Sequence, residues 1–285
     1  MTESNSGASQ EAIEFHYDMP ADFFSLWLGR SMTYTAARFT QPGMTLDEAQ
    51  DEKINYHLSA ANVASGHRML DIGCGWGTLL SAGVKRLGAA SAHGLTLSPL
   101  QHRYIGSLGL PNVTAALQSY EHHEPEEPYE SIVSVGAFEH FVKPSMSREE
   151  RLRIYSELFR RCAEWMTRDG RFSLQTMTWG DAGPAERDMN RIHEIFPESD
   201  LPEIADVIEA SHPHLELVSM ENRPEDYQYT LAEWAKGLIA NSDAAIRIVG
   251  EERFKFYLNS CKGGSLLYRR RRFYLCRFVF RRRGR

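Results

Sequence analysis

The sequence predicts a single α/β domain built on a mostly parallel sheet with helices on both faces. Two observations lead to this prediction. Helix-like segments separate several short apolar runs, which lie at 69–72, 91–95, 112–117, 131–136 and 171–177. A glycine-rich loop directly follows the first of these runs. Strands that alternate with helices pair in parallel, because each crossover helix returns the chain to the same end of the sheet.

The predicted helices have recognisable ends and faces. One covers about 21–28, and the next begins after Thr45, where Glu48 completes a capping box. The clearest helix is 148–166, because its apolar residues recur at helical spacing. These residues are Leu152, Tyr155, Leu158, Phe159, Cys162 and Trp165.

Beyond residue 178 the alternation stops in a stretch rich in proline, glutamate and histidine. The later runs LELVSMEN and RFYLCRFVF, with a helix near 231–240 between them, would bring the sheet to seven strands. We expect residues 1–10 to be disordered and 11–285 to form one domain. Its parts are a helical lid at 11–64, a core at 65–177, a substrate cap at 178–213, and C-terminal strands and helices with a basic end at 214–285.

Charge is distributed unevenly along the 285 residues. The net charge is −6, yet the arginine-rich segment 269–285 holds nine arginines and no acidic residue. The remaining body is therefore strongly acidic, which argues against nucleic-acid binding. The arginine-rich segment predicts either a solvated strand edge with a frayed terminus or a contact with phosphate or anionic lipid.

Cysteine and histidine spacing gives no sign of a metal centre. The four cysteines are scattered without a zinc-ligand pattern and are expected to be free thiols. His122, His123 and Glu124 lack a helix or hairpin that would make them converge, so no metal site is predicted. Without a membrane-length apolar run or a signal-like start, we expect a cytoplasmic protein.

The glycine loop lies in LDIGCGWG, where Gly73, Gly75 and Gly77 follow the first strand. Glycine accepts positive φ and lets a ligand approach the main chain. A dinucleotide-binding loop would read GxGxxG, with an acidic residue about 20 positions later on the ribose. Here the spacing is GxGxG, and the second strand ends in HGLTLS without an acid. A ligand with one nucleoside and an amino-acid part, such as S-adenosylmethionine, therefore fits better.

Six motifs in fixed order resemble the cyclopropane fatty acid synthases, most closely the short mycolic acid cyclopropane synthase type. They are FHYDMPADFFSLWLGRSMTYTAARF, LDIGCGWG, GLTLS followed by Gln101, GAFEHF, IFPESDLP and YQYTLAEW. The resemblance runs from about Phe15 to Phe280. It implies a Rossmann-like class I S-adenosylmethionine-dependent methyltransferase fold with a seven-stranded sheet and a helical cap. Relatives of that family include alkaloid N-methyltransferases and natural-product C-methyltransferases.

The resemblance also implies a binding site for S-adenosylmethionine. Its methionine part would lie against the glycine loop under Tyr34 and Thr35, and its adenosine would meet the ends of the second and third strands. Thr96 and Gln101 offer neutral partners in place of the missing acid. Tyr120 is either an adenine-packing residue or a core aromatic. The implied cofactor-binding residues are Tyr34, Thr35, Asp71, Gly73, Gly75, Thr96, Leu97, Gln101, Ser119, Tyr120 and Ala137.

Glu139 is the leading catalytic candidate, because it follows the fourth strand where ligands of parallel sheets bind and has Phe138 and Phe141 beside it. In the family that the chain resembles, this glutamate, a tyrosine matching Tyr227 and a histidine hold a bicarbonate that removes a proton. Here Gln175 stands in place of that histidine, and Ala36 in place of a cysteine. Glutamine cannot relay a proton, so bicarbonate is in doubt. The predicted catalytic residues are Glu139, Tyr34, Tyr227 and Gln175.

Aromatic residues before the core should roof the substrate pocket together with the predicted cap. An alternative is that most of them pack as an ordinary helix on the domain. Three histidines, His16, His140 and His193, are expected to be structural or exposed. The roofing candidates are Phe15, Tyr17, Phe23, Phe24 and Trp27.

These observations favour a C-methyltransferase acting on an apolar, unsaturated small molecule or lipid through a cationic intermediate, with cyclopropane formation as one variant. The first alternative is a small-molecule N-methyltransferase in which Glu139 binds a cationic acceptor. The second is a non-enzymatic binding module that keeps the fold. RNA methylation is disfavoured by the acidic body. Oligomeric state is left open by the sequence.

Overall fold

The computed structural model describes residues 7–9, 11–13, 19–182 and 198–284. Some of the predictions concern residues outside these ranges. They involve residues 1–6 and 10, Phe15, His16, Tyr17, the part of the predicted cap at 183–197 with His193, and Arg285.

The described strands form one seven-stranded sheet in the order β3-β2-β1-β4-β5-β7-β6. Pairing from β3 through β5 is parallel, whereas β7 runs antiparallel between β5 and β6. The predicted Rossmann-like, mostly parallel sheet is confirmed. The strands are β1 (Arg68–Ile72), β2 (Ser91–Thr96), β3 (Val113–Leu117), β4 (Tyr129–Val135), β5 (Met166–Trp179), β6 (Leu215–Asn222) and β7 (Phe273–Arg282).

Eight described helices surround the sheet: α1 (Ala21–Ser25), α2 (Leu46–Ala60), α3 (Thr78–Leu87), α4 (Pro99–Ser107), α5 (Arg148–Trp165), α6 (Ile204–Ser211), α7 (Pro224–Ala240) and α8 (Ser242–Arg269). The predicted capping box of Thr45 and Glu48 is present. Helix α8 was not predicted, because Gly250 interrupts its apolar spacing and bends its backbone (φ 80°, ψ 162°). None of these helices has the length and apolar character needed to cross a membrane.

Buried apolar residues on the two faces of the sheet form separate clusters. Alternate residues of β1 belong to different clusters, as the two-residue period of a strand requires. Leu70 packs with residues of α5 and α6, whereas Met69 packs with α2 and α3. The carboxyl end of β1, where the glycine loop begins, is thus held from both sides.

A third cluster contains aromatic residues from α1, from the turn after it, and from α7 and α8. The residues here called the aromatic roof are Phe23, Phe24, Trp27, Trp234 and Tyr257. Phe23 lies 5.1 Å from Tyr257 between ring centroids, and Trp27 lies 5.6 Å from Trp234. Phe24 reaches Trp76 of the glycine loop at 5.9 Å. The predicted packing of the early aromatic residues against the domain therefore holds for Phe23, Phe24 and Trp27.

Two helices within the predicted lid and cap pack on the sheet. Helix α2 buries Ile54 and Leu58 in one cluster with Met69 of β1. Helix α6, inside the predicted cap, buries Val207 and Ala210 in the cluster of α5. Both helices carry an apolar stripe that must be covered, and the nearest uncovered surface is the sheet.

Residues 7–9 of the segment expected to be disordered are packed beside the carboxyl end of the sheet. The amide of Ala8 donates to the carbonyl of His140 at 2.7 Å, and Ala8 is buried. The amide of Ser9 donates to Glu198 at 2.9 Å. The small side chains that favoured disorder here permit close approach to a backbone carbonyl.

The arginine-rich segment is not a solvated strand edge, because β7 pairs with a neighbour on each side. Arg277 is fully buried, and its guanidinium lies 2.8 Å from Asp226, which is also fully buried. Arg281 pairs with Glu216, and Arg271 with Glu225. Much of the positive charge of this segment is therefore used within the molecule.

We expect Arg277→Met to lower the free energy of unfolding by about 3 kcal/mol, because the buried carboxylate of Asp226 would lose its 2.8 Å partner. Among the described residues this carboxylate would keep only the longer contact to Arg223 at 3.5 Å and the hydrogen bond from the amide of Phe39. Urea unfolding monitored by circular dichroism measures the effect. Arg281→Met removes an exposed partner of Glu216 and should leave stability nearly unchanged. Equal losses in the two variants would contradict a special role for the buried pair.

Candidate active site

The glycine loop turns sharply at the end of β1. The amides of Gly73 and Cys74 both donate to the carbonyl of Leu95, at 2.9 and 3.0 Å. Gly73 has φ 80°, and a Cβ there would come 2.3 Å from the Cβ of Ala137. Gly75 has φ 53°, and a Cβ there would meet no atom within 4 Å. Gly73 is thus required by the adjoining wall, whereas Gly75 opens onto empty space.

That space is the larger of two adjoining cavities at the carboxyl end of the sheet. All eleven residues that were predicted to bind a cofactor line it. They come from the segment before α2, the end of β1 with its loop, and the ends of β2, β3 and β4. The sequence reasoning missed several further lining residues, namely Lys53, Gln118, Glu121 and Gly136.

One end of the larger cavity is lined by neutral polar groups. The hydroxyl of Thr96 donates to the amide oxygen of Gln101 at 2.8 Å, and both residues are buried. Tyr120 was predicted either to pack on adenine or to be a core aromatic. It lines the cavity, and its ring centroid also lies 4.6 Å from that of Phe141. Its hydroxyl is buried without a hydrogen-bond partner among the described residues. Thr96 and Gln101 thus offer a nucleoside neutral partners, and Glu121, which also lines the cavity, adds an acidic one.

The other end carries buried charge. Asp71 is 2% exposed, its Oδ1 has no hydrogen-bond partner within the described ranges, and burial raises its pKa to about 7. Lys53 is fully buried and donates to Thr35 Oγ1 at 2.8 Å. The signal for Lys53 was its position on α2, because it falls on the helix face of Ile54 and His57, which is buried. A carboxylate and an ammonium beside the glycine loop fit the amino-acid part of S-adenosylmethionine.

The smaller cavity brings the four predicted catalytic residues together. Its volume is about 20 Å³, enough for roughly one water molecule. Tyr34, Thr35, Gly136 and His140 line both cavities, and these four residues are here called the shared wall. The residues of the smaller cavity are Tyr34, Thr35, Ala36, Gly136, Glu139, His140, Gln175, Met177, Tyr227 and Leu275.

Glu139 has a buried carboxyl group, and within the described part of the chain only one of its two oxygens accepts a hydrogen bond. Its Oε1 accepts a hydrogen bond from the amide of Met177 at 2.5 Å. Its Oε2 has no partner among the described residues, and the side chain is 2% exposed. Burial raises the pKa of Glu139 to about 7, and the hydrogen bond from Met177 opposes this shift. The group therefore gains or loses a proton near neutral pH.

Gln175 is held by a network behind the smaller cavity. Its Oε1 accepts from Nε of Arg277 at 2.8 Å, and its Nε2 donates to the carbonyl of Ala36 at 3.5 Å. His57 lies 3.4 Å from the same amide oxygen, and burial lowers the pKa of this histidine well below its usual range. Gln175 is thus oriented by fixed donors and takes no part in proton relay.

The two tyrosines connect the smaller cavity to the aromatic roof. Tyr34 lies 5.2 Å from Trp234 between ring centroids, and Tyr227 lies 6.0 Å from Trp234. Burial raises the pKa of Tyr227, so its hydroxyl stays neutral. Tyr268, which was not predicted, lies 4.9 Å from Tyr227. Both tyrosines therefore line the cavity that contains Glu139.

The residues next to Glu139 in sequence lie in different surroundings, some in the core and some at the cavities. Phe138 stacks on Tyr155 at 4.3 Å in the core and lines neither cavity, so the prediction that it flanks the site is wrong. Phe141 lines the larger cavity. His140 lies 2.6 Å from the hydroxyl of Ser199, and burial lowers its pKa to about 4, in keeping with a structural role in the shared wall.

The histidines at 122 and 123 and the four cysteines lie outside the four predicted catalytic residues. His123 lies 3.1 Å from the hydroxyl of Tyr129 and 3.2 Å from the side-chain amide of Gln118. All four cysteines are free and buried, as predicted.

Comparison with known proteins gives consistent matches over nearly the whole chain. The model of the family described as mycolic acid cyclopropane synthetase matches residues 4–278. Cyclopropane mycolic acid synthase 2 of Mycobacterium tuberculosis (strain CDC 1551 / Oshkosh) is 34% identical over 287 residues, covering 94% of this chain and 93% of the relative.

Solved structures agree with this match. The cyclopropane synthase MmaA2 from Mycobacterium tuberculosis superposes with a TM-score of 0.88 at 29% identity, covering 98% of this chain and all of that one. The mycolic acid cyclopropane synthase CmaA1 complexed with SAH and CTAB gives 0.86 at 30% identity, covering 97% and 99%.

Proposed function

Because the chain belongs to the mycolic acid cyclopropane synthetase family, we propose that it methylates a carbon–carbon double bond in a lipid chain. Membership makes it an S-adenosylmethionine-dependent C-methyltransferase; the acceptor and product are the proposal. One observation carries it: Glu139, whose buried Oε2 has no partner among the described residues, lines a small cavity with Tyr34 and Tyr227, and this cavity shares a wall with the cavity of the glycine loop.

The larger cavity supplies what the cofactor needs. We assign the amino-acid part to the end with Asp71 and the nucleoside to the end with Thr96 and Gln101. When bound, S-adenosylmethionine supplies an electrophilic methyl group, and an in-line nucleophile about 3 Å away suffices for transfer. We propose that the double bond of the acceptor lies at the shared wall, between that methyl group and Glu139, because the smaller cavity by itself has room for only about one water molecule.

Addition of a methyl group to an alkene leaves a cation on the acceptor, which must be kept from water. The smaller cavity has room for about one water molecule, so few competing nucleophiles are present. The rings of Tyr34 and Tyr227, which line this cavity, offer faces that stabilise a cation. A site that keeps water from a carbocation favours an alkene as the acceptor over an amine, whose proton could be lost directly to solvent.

Glu139 is the proposed proton acceptor. A C–H bond of the added methyl group breaks, its electron pair closes the three-membered ring, and the proton goes to Oε2 of Glu139. Gln175 cannot replace the base, because its amide oxygen is held by Arg277. Both polar atoms of the Gln175 side chain are already engaged, by Arg277 and by the carbonyl of Ala36, which argues against bicarbonate, so we expect turnover to be unchanged in carbonate-depleted buffer.

The test is incubation with S-adenosylmethionine and vesicles of a monounsaturated phospholipid, followed by proton resonance spectroscopy. Loss of alkene signals with new cyclopropane signals supports the proposal. Retention of alkene signals with a new methyl branch would support methylation without ring closure. Methyl gain only on amines would support the N-methyltransferase alternative, for which the buried carboxylate of Glu139 near aromatic rings is the favouring observation.

We expect kcat/KM to fall tenfold per pH unit below about pH 7 and to level off above it. The base must be deprotonated to act, and its pKa in the folded enzyme is about 7, so activity is lost as the pH falls through this value. Initial rates from about pH 5.5 to about 8.5 measure the profile. A profile that stays flat through the acidic half would contradict Glu139 as the base.

The chain is also divided into parts with different proposed roles. We propose residues 65–177 as the S-adenosylmethionine-binding core, with the aromatic roof as the acceptor side. A cytoplasmic location and a contact of the arginine-rich segment with phosphate or anionic lipid stay predictions.

A further inference from the structure

Lys53 is fully buried, and among the described residues its side-chain amine has only a neutral hydrogen-bond partner; burial lowers its pKa well below the usual range. Its ammonium donates to the hydroxyl of Thr35 at 2.8 Å. Within the described residues, no carboxylate oxygen lies within 4.0 Å of it. An ammonium withdrawn from water without a counter-ion costs on the order of several kcal/mol. The ammonium form of Lys53 therefore needs an anion that a bound ligand supplies.

The position of Lys53 indicates where that anion comes from. Lys53 lines the larger cavity together with Thr35 and Asp71. It interacts electrostatically with Asp71, whose Oδ1 is also buried without a partner among the described residues. The cavity thus presents one incompletely paired cation and one incompletely paired carboxyl. An α-amino acid carries the opposite pair, a carboxylate and an ammonium, on a single carbon.

We infer that Lys53 binds the carboxylate of the amino-acid part of S-adenosylmethionine, while Asp71 faces the ammonium. This inference rests on the proposed use of the larger cavity. Thr35, a shared-wall residue, holds the ammonium of Lys53 in position. Arg277 is the other cation near Lys53, but it lines neither cavity and is paired with Asp226.

A structural alternative would assign Lys53 only to fixing Thr35. The two roles differ in which ligands are affected. If Lys53 binds the carboxylate, its loss weakens only ligands that carry a carboxylate. If it only fixes Thr35, its loss weakens every ligand of the cavity to a similar degree.

Isothermal calorimetry with two ligands separates these roles. The ligands are S-adenosylhomocysteine and its decarboxylated analogue, 5′-deoxy-5′-(3-aminopropylthio)adenosine. We expect Lys53→Met to weaken S-adenosylhomocysteine about 100-fold and to change the affinity for the analogue by less than about threefold. Lys85→Met is the matched control, since it removes an exposed lysine outside the cavity and should change neither affinity.

The variant is expected to fold, because exchanging a buried charge for an apolar side chain of similar size is often neutral or stabilising. Lys53→Gln provides a second variant with the same expected pattern. Equal weakening of both ligands, or no weakening, would overturn the inference alone. Failure of the unaltered protein to bind S-adenosylhomocysteine would overturn the proposed function as well.

Discussion

Glu139→Gln is expected to slow methyl transfer by about 10²–10⁴-fold while leaving the affinity for S-adenosylhomocysteine within about threefold. Glutamine keeps the size of the side chain and can still accept from the amide of Met177. It cannot take a proton at the position of Oε2. Single-turnover rates with an unsaturated lipid, together with calorimetry, separate the chemical step from cofactor binding.

The same variant should be more stable than the unaltered protein above neutral pH. The pKa of Glu139 is about 7 in the folded protein, against an ordinary value of 4.5. The folded state therefore holds the proton more tightly, and stability falls as the pH rises between these values. Above pH 7 the full cost, up to about 3 kcal/mol, is present in the unaltered protein and absent in the variant.

Thermal unfolding at about pH 8 and about pH 5 measures this difference, with the gain expected only at the higher pH. A normal turnover rate in Glu139→Gln would show that this carboxyl is not the proton acceptor. Slow turnover without the stability gain would instead show that the carboxyl is not destabilised by burial.

Gly75→Val is expected to abolish binding of S-adenosylhomocysteine. A Cβ at Gly75 meets nothing within 4 Å, because it points into the space that we assign to the cofactor. A branched side chain would fill that space, and positive φ would add strain. Calorimetry should detect no heat of binding at ligand concentrations about 100-fold above the dissociation constant of the unaltered protein.

Gly109→Val is the control for backbone strain. Gly109 also has positive φ and open space around it, yet it is exposed and outside the cavity. It should lose stability to a similar degree and retain binding. If both variants lost binding equally, the effect of Gly75→Val would come from strain and not from filling the cavity.

The parts of this molecule that sequence reasoning could predict depend on local signals. The capping box at Thr45, the glycine loop and the motif around Glu139 each occupy a few adjacent residues. Such motifs define backbone turns that do not depend on distant partners. For this reason every predicted site residue lines one of the two cavities.

The parts that could not be predicted depend on register and packing. Gln175 meets Arg277 only because β5 and β7 pair antiparallel at that position, across a separation that no local pattern encodes. Phe138 turns into the core although it adjoins Glu139. Lys53 could have been recognised, because a charged residue on the apolar face of an amphipathic helix needs a partner.

The shared wall limits how enzymes with this architecture can diversify. Tyr34, Thr35, Gly136 and His140 bound both chambers, so an exchange that enlarges one chamber also deforms the other. New acceptors are more easily accommodated by altering the roof helices, because among these helices only α7 lines either cavity, and it does so through Tyr227 in the smaller cavity alone. Evolutionary change in substrate choice should therefore accumulate in α1, α7 and α8, while the partition between the chambers stays constant.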